Sequence, residues 1–287
     1  MGNVELVATG YGTVEGPTLA SDGNLYFGDV RHGGVYRLLP DDSVELVLAK
    51  RRGVGGICAH ADGGVVVSGR DLSHIIDGQS RLIYSRDQVP ASSGLSAGGF
   101  NDIGADPNGR IWAGVQRMTA DGDYGPGAVV LISAQDHADV VYEGLLPNGN
   151  AVSVDEQYLF QIDSRAKRVL VFDLARPLNG VVREFSTAQL PGSPDGCAVD
   201  EHGDLWIAFH HGGCVASFSP EGAMLGRIDF TTPTVTSVCF GPAGSGTLYV
   251  VTDDETNVGP GAATSPNGSI YRVDVGVSGA VVHAARV

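Results

Sequence analysis

Basic charge is scarce in this chain. Its 18 lysines and arginines stand against 33 aspartates and glutamates, a formal net charge of −15 over 287 residues. Nucleic acids and anionic membrane surfaces need a basic footprint, so neither is expected as a partner. Charge of either sign is sparse at 18%, while hydrophobic residues reach 43%, which excludes a disordered chain. No apolar run has the length of a membrane-spanning helix, and no charged-then-apolar leader opens the sequence. The expected location is cytoplasmic. Cysteine is limited to four, with no C-x-x-C spacing, so thiol metal binding and redox chemistry are not expected. Cys58, Cys197 and Cys239 fall at matching points of a repeat and read as small buried apolar residues. Gly53-Val54-Gly55-Gly56 precedes no helix, so it is not a phosphate loop.

Turns are abundant, with 42 glycines and 14 prolines. They punctuate a unit seen six times, a turn followed by a short β run. Examples are Asp22-Gly23-Asn24-Leu25-Tyr26-Phe27, Asn108-Gly109-Arg110-Ile111-Trp112-Ala113 and His202-Gly203-Asp204-Leu205-Trp206-Ile207. The anchors Leu25, Val65, Ile111, Leu159, Leu205 and Leu248 are 40, 46, 48, 46 and 43 residues apart. Strands at that period predict an all-β fold, a six-bladed β-propeller with four antiparallel strands per blade, spanning 1–287 as one domain. In the first unit the strands are expected near Gly16–Ala20, Leu25–Gly28, Val35–Leu39 and Val44–Ala49. Val4–Ala8 and Val281–Ala285 both resemble a fourth strand; the first is expected outermost on the last blade, closing the ring.

The period also serves as a ruler. Counting back 10 or 11 residues from each anchor reaches Glu15, Gly55, Asn101, Asn148, Asp195 and Ser237. Symmetry should bring Glu15, Asn101, Asn148 and Asp195 to one axis. Two carboxylates and two carboxamides suit a hard divalent cation, and without one the like charges repel. A ring of polar residues around a water-filled channel is the alternative, since such residues beside glycine also form turns. The connections after the second strands open on the same face. They place His32, Arg70, His74, His210 and His211 there, with the long loops Val115–Gly127 and Asp253–Gly268. Long loops over a rigid rim often carry specificity.

Glu15-Gly16-Pro17, Phe100-Asn101-Asp102, Pro147-Asn148-Gly149 and Pro194-Asp195-Gly196-Cys197-Ala198-Val199-Asp200 follow one another in an order that resembles the regucalcin/gluconolactonase family. Asp106-Pro107-Asn108-Gly109-Arg110-Ile111-Trp112 and Thr236-Ser237-Val238-Cys239-Phe240-Gly241 extend the likeness over essentially the whole chain. The resemblance implies a six-bladed propeller of metal-dependent lactonases. Carried over, it makes Glu15, Asn148 and Asp195 metal ligands and Asn101 a contact to substrate or to metal-bound water. The cofactor it implies is one divalent cation, Ca2+ first, with Mg2+, Mn2+ and Zn2+ as alternatives; the lack of His and Cys in the set argues against obligate zinc. Three positions depart from the family's sugar-lactonase pattern. Gly99 stands where an Arg is usual, Thr119 where an acid is expected (Asp121 lies close by), and Cys214 where a basic residue often follows.

The reading that follows is a hydrolase opening a lactone to its hydroxy acid. Asp195 is expected to be catalytic, as ligand and general base together. Asn101, Arg117, Asp121, Tyr124 and His210 are expected at the substrate; Arg117 either takes the part of the Arg absent at position 99 or is an exposed loop Arg, and the sequence leaves both open. The alternatives are an esterase or organophosphate hydrolase on the same cage, and a non-catalytic calcium-binding propeller. The expected partner is a small lactone or ester, and the chain is expected as a monomer or weak homo-oligomer.

Overall fold

The computed structural model describes residues 3–134, 137–253 and 268–287. Six four-stranded antiparallel sheets form the blades of a propeller. The first blade runs Val14–Leu19, Leu25–Asp29, Val35–Leu38 and Val44–Leu48, close to the expected strands. The remaining inner strands are Ile57–Ala59, Ser96–Ala105, Pro147–Val152, Ser193–Val199 and Val235–Phe240. Two single-turn 3-10 helices, Arg86–Gln88 and Pro177–Asn179, interrupt the pattern. No helix among the described residues is long and apolar enough to cross a membrane.

Blades pack face to face through fully buried aliphatic and aromatic side chains. Trp112 and Leu131 of the third blade, for example, share a cluster with Leu159, Leu170 and Phe172 of the fourth. Each such side chain contributes about 1.5–3 kcal/mol when taken from water. The repeat's Asp and Trp form one device. Asp106 and Asp200 are buried in the turns between first and second strands, where each accepts two backbone N–H bonds. Each also accepts the indole Nε1–H of the following Trp, at 3.2 Å from Trp112 and 2.9 Å from Trp206. The turn signature is therefore a fully used buried carboxylate.

Val4–Tyr11 pairs antiparallel with Gly268–Asp274 and stands outermost on the sixth blade, as expected. The last segment does not form a fourth strand. It crosses the face bearing the first-to-second turns. Gly279 bridges Asp200, and Ala285 bridges His60 in parallel sense. Arg286 N–H donates to Gly109 O at 2.8 Å. The tail thus ties blades five, two and three over the far end of the channel, enclosing a cavity of about 140 Å3 lined by Cys58, Cys197, Cys239 and apolar neighbours. All four cysteines are free. Burial pushes the Cys58 and Cys239 thiols up to about 12, so they stay protonated.

Candidate functional site

At the opposite end of the channel the inner strands slip register. Two residues face one on the neighbouring strand between Glu15 and Thr18, Phe100 and Ile103, Pro147 and Asn150, and Pro194 and Cys197. A bulge of this kind bends the strand and re-aims a side chain. Four of the six ruler positions are followed by glycine, Gly16, Gly56, Gly149 and Gly196, and none of these has room for a side chain. A Cβ on Gly196 would stand 1.9 Å from Ser237 Oγ, one on Gly149 2.6 Å from Cys197 N, and one on Gly56 2.5 Å from Ile103 N. Adjacent strands touch backbone to backbone here, so the ring is narrow and the ruler side chains meet.

The carboxamides are oriented by their neighbours. Asn101 Nδ2 donates to Pro147 O at 3.0 Å and to Asn148 Oδ1. Asn148 Nδ2 donates to Ser164 Oγ at 2.7 Å, and Ser164 Oγ in turn donates to Pro194 O at 2.6 Å. Ser164 therefore holds the Asn148 amide with its oxygen toward the ring. Gln161 Nε2 secures the bulge by donating to Asn148 O at 2.7 Å. A Cβ on Gly55 would lie 2.4 Å from Asn101 Oδ1, so its bareness accommodates that carboxamide.

Charge accumulates at the same level. Burial, then the charges of Asp195, Asp102 and Asp253, raises the Glu15 carboxyl well above its ordinary pKa. Burial, then Asp102 and Asp253, does the same to Asp195. Burial raises Asp102 to about 7. Glu15 Oε2 is buried without a hydrogen-bond partner. Among the described residues no three His, Cys, Asp or Glu side chains gather into a metal-holding group by themselves. The Asn101 and Asn148 carboxamides supply the further oxygens. An orphaned carboxylate oxygen among mutually repelling acids fits a hard divalent cation.

Asp102 and Asp253 were missed by counting from the anchors. Asp102 is the residue after Asn101, where four other blades have glycine; that substitution was a readable signal. Asp253 is 6% exposed, accepts Thr13 Oγ1 at 2.9 Å, and pairs with Arg31 at 3.1 Å.

The rim departs from expectation more than the centre. Arg117 is 2% exposed; its guanidinium pairs with Glu143 and donates to Pro90 O at 3.4 Å. It braces the 89–98 loop from within the third blade and is not aimed at the mouth in place of an Arg at 99. Tyr124 is 63% exposed, and Asp121 is exposed beside it on a loop closed by the Met118–Tyr124 bridge. No contact joins either to the central residues among those described. His210 ends a second strand, half-buried, with its ring edge-on to His211 at 4.4 Å. His74 lies inside strand Asp71–Ile76, so it is not on the mouth. It is 5% exposed, stacks on His60 at 3.8 Å, and bonds Gly63 O at the opposite end of its blade. Cys214 is fully buried. Of the long loop at Asp253–Gly268, residues 254–267 lie outside the described residues.

The comparisons agree with this fold. A pentonolactonase of Haloferax volcanii is 28% identical over 278 residues, covering 92% of this chain and 91% of that protein. A 6-deoxy-6-sulfogluconolactonase of Pseudomonas putida is 29% identical, covering 89% and 88%. A luciferin-regenerating enzyme of solved structure superposes with a TM-score of 0.83 at 25% identity over 100% of both chains. The model of the SMP-30/gluconolactonase/LRE-like region matches residues 13–254, and the chain belongs to that family.

Proposed function

We propose that the protein is a metal-dependent lactonase, opening a cyclic ester to the hydroxy acid. The observation carrying this reading is the central set itself: Glu15, Asn148 and Asp195, with Asn101, stand together with an orphaned carboxylate oxygen. Two relatives aligned over nearly the whole chain are lactonases by name. Glu15, Asn148 and Asp195 would hold the cation, Ca2+ on the chemistry of the donors; when bound it supplies Lewis-acid polarisation and neutralises the acids.

The chain's own residues do the rest. Asp195, whose burial raises its proton affinity, takes a proton from the attacking water. The water oxygen bonds to the lactone carbonyl carbon, the ring C–O bond breaks, and the proton passes to the departing ring oxygen. Asn101 Nδ2 is committed to Pro147 O and Asn148 Oδ1, which leaves its Oδ1 to accept a hydrogen bond from the attacking water. Ser164 and Gln161 keep Asn148 and its bulge in place.

The test is a lactone panel, sugar-derived and aliphatic, with aryl esters and a phosphotriester beside it. Turnover of lactones, lost on chelation and restored by CaCl2, is expected. Asp195→Asn should remove at least ~100-fold of kcat, the scale of a positioned base. Full activity of that variant would remove Asp195 from the reaction. Cation-dependent melting without turnover of any substrate would leave a calcium-binding propeller.

A further inference from the structure

The tail is held over the far end of the channel at two separate places. The first is the fifth blade, where Ala280 N donates to Val199 O at 2.9 Å. The second is the seam of the second and third blades. Ala285 N donates to Ala59 O and Ala61 N to Ala285 O, both at 2.8 Å. Ala285 and Val287 are buried in the core cluster shared by those two blades. Between the two holds, no backbone hydrogen bond ties Val281–Ala284 down among the described residues, and Val281 and Val282 are exposed. This strap is only as secure as its second hold.

That hold is built on the buried, stacked rings of His60 and His74, whose planes lie 22° apart. Their partners fix where the protons are. Asp62 N donates to His60 Nδ1 at 3.1 Å, so that nitrogen is an acceptor and carries no proton. His60 Nε2–H is then the donor to Val287 O at 3.3 Å. His74 Nε2–H donates to Gly63 O at 2.7 Å, in the same turn. With the tail in place, His60 is therefore neutral. A further proton has to go to Nδ1, where it would point at Asp62 N–H, donor against donor. It would also set a charge away from water, on the face of His74. The nearest carboxylate, Asp62, is 82% exposed, with Oδ2 3.9 Å from Nδ1, and offsets little of this. Arg81, opposite His74 on the outer strand, adds repulsion. On the tail, Arg286 lies along Gly109 of the third blade, and the group that meets His60 is the Val287 carbonyl. Burial holds the His60 pKa below the ordinary histidine value, against the pull of Val287 O.

We propose that the His60–His74 stack is an acid-sensitive latch for the tail. At neutral pH both Nε2–H groups are engaged and the strap is shut. As pH falls, His60 takes up its proton by giving up the Asp62 N–H bond that shapes the turn. The same turn carries Ala61 N, so its opening also removes the bond to Ala285 O. Residues 281–287 then lift, and the cavity bordered by residues 279–283 opens at the far end of the channel. The released form binds a proton that the docked form excludes. Docking therefore weakens by up to ~10-fold for each pH unit below ~6.5. The latch is independent of the reaction proposed at the ring.

The test is amide hydrogen exchange at Ala61, Ala285 and Arg286, followed from neutral to acid pH in the full chain with CaCl2 present. His60→Gln is the reference, since glutamine can still donate to Val287 O but takes up no proton. The ratio of wild type to H60Q at each pH cancels the pH dependence of exchange itself. That ratio is expected to rise by up to ~10-fold per pH unit below ~6.5 at these three amides. A ratio that stays flat, with the H60Q tail protected at neutral pH, overturns the latch. If H60Q fails to dock its tail at neutral pH, nitrogen NMR of the wild-type imidazoles decides. The His60 ring should be the neutral Nε2–H form at neutral pH, and its protonation should coincide with loss of protection at Ala285. A His60 ring that takes up its proton while the tail stays protected overturns the latch.

Discussion

Gly55→Ala isolates the geometry of the central ring with one methyl group. Gly55 is not held at positive φ, so alanine brings no backbone strain there. The new Cβ would lie 2.4 Å from Asn101 Oδ1 and 3.3 Å from its Cα, and tolerable contact needs the carboxamide to retreat by roughly 1 Å. The retreat pulls Asn101 Nδ2 from Pro147 O and Asn148 Oδ1. Two hydrogen bonds at about 1 kcal/mol each set the stability cost near 2 kcal/mol. That is a fall of roughly 3–4 °C in a chain of this size. Activity should suffer more, because a 1 Å misplacement of a positioning group costs on the order of 100-fold. The assay is kcat/KM on the best lactone together with a melting curve, for G55A, N101A and the double variant. With the Asn101 carboxamide gone the methyl's nearest remaining neighbour is the residue 101 Cα at 3.3 Å, so G55A should add little in the N101A background. Wild-type activity in G55A, or two effects that simply multiply, would refute the steric argument.

Acidity gives a further expectation. Glu15, Asp102 and Asp195 all hold their protons more tightly than usual in the folded state, Asp102 with a value of about 7. Folding then takes up protons, so their contribution is full below the ordinary value near ~4 and is lost as pH rises through the folded values. Cation-free protein should therefore melt lower with each step from pH 4 to beyond pH 7, and CaCl2 should flatten the slope; a flat profile without cation contradicts the buried acids. Trp206→Phe removes the indole donor 2.9 Å from Asp200 Oδ2 and should cost about 1–2 kcal/mol in a denaturant melt, with the lactone kcat as control. Removing residues 285–287 deletes the bonds from Ala285 N to Ala59 O, Ala61 N to Ala285 O and Arg286 N to Gly109 O, for a loss of about 2–3 kcal/mol by the same melt.

The blade count, the strand positions of the first blade and the closing strand Val4–Tyr11 were legible because they rest on periodicity and turn chemistry, which are local. That Glu15, Asn101, Asn148 and Asp195 converge was legible for the same reason, since a repeat places equivalent positions around an axis. What failed was orientation. Arg117 was read into the loop Val115–Gly127, but it lies in strand Ile111–Met118 and is held inward by Glu143 and Pro90 O, a pairing that no sequence spacing encodes. His74 was placed in the connection after the second strand; Ser68, Gly69 and Arg70 complete that connection, and the next strand begins at Asp71. Asp102 was overlooked because a ruler picks one residue per blade and a bulge exposes two.

The pairing of Val4–Tyr11 with Gly268–Asp274 joins segments some 260 residues apart in the chain. Contacts so distant in sequence form late and slowly. As the polypeptide leaves the ribosome, five blades can assemble in order while the first strand waits alone with its hydrogen-bonding edge uncovered, a template for a neighbouring nascent chain. Only when the final blade arrives is that edge sealed. The ring's last seam is therefore also its folding checkpoint, and a permuted gene that begins between two blades, keeping every blade whole, should shorten the wait.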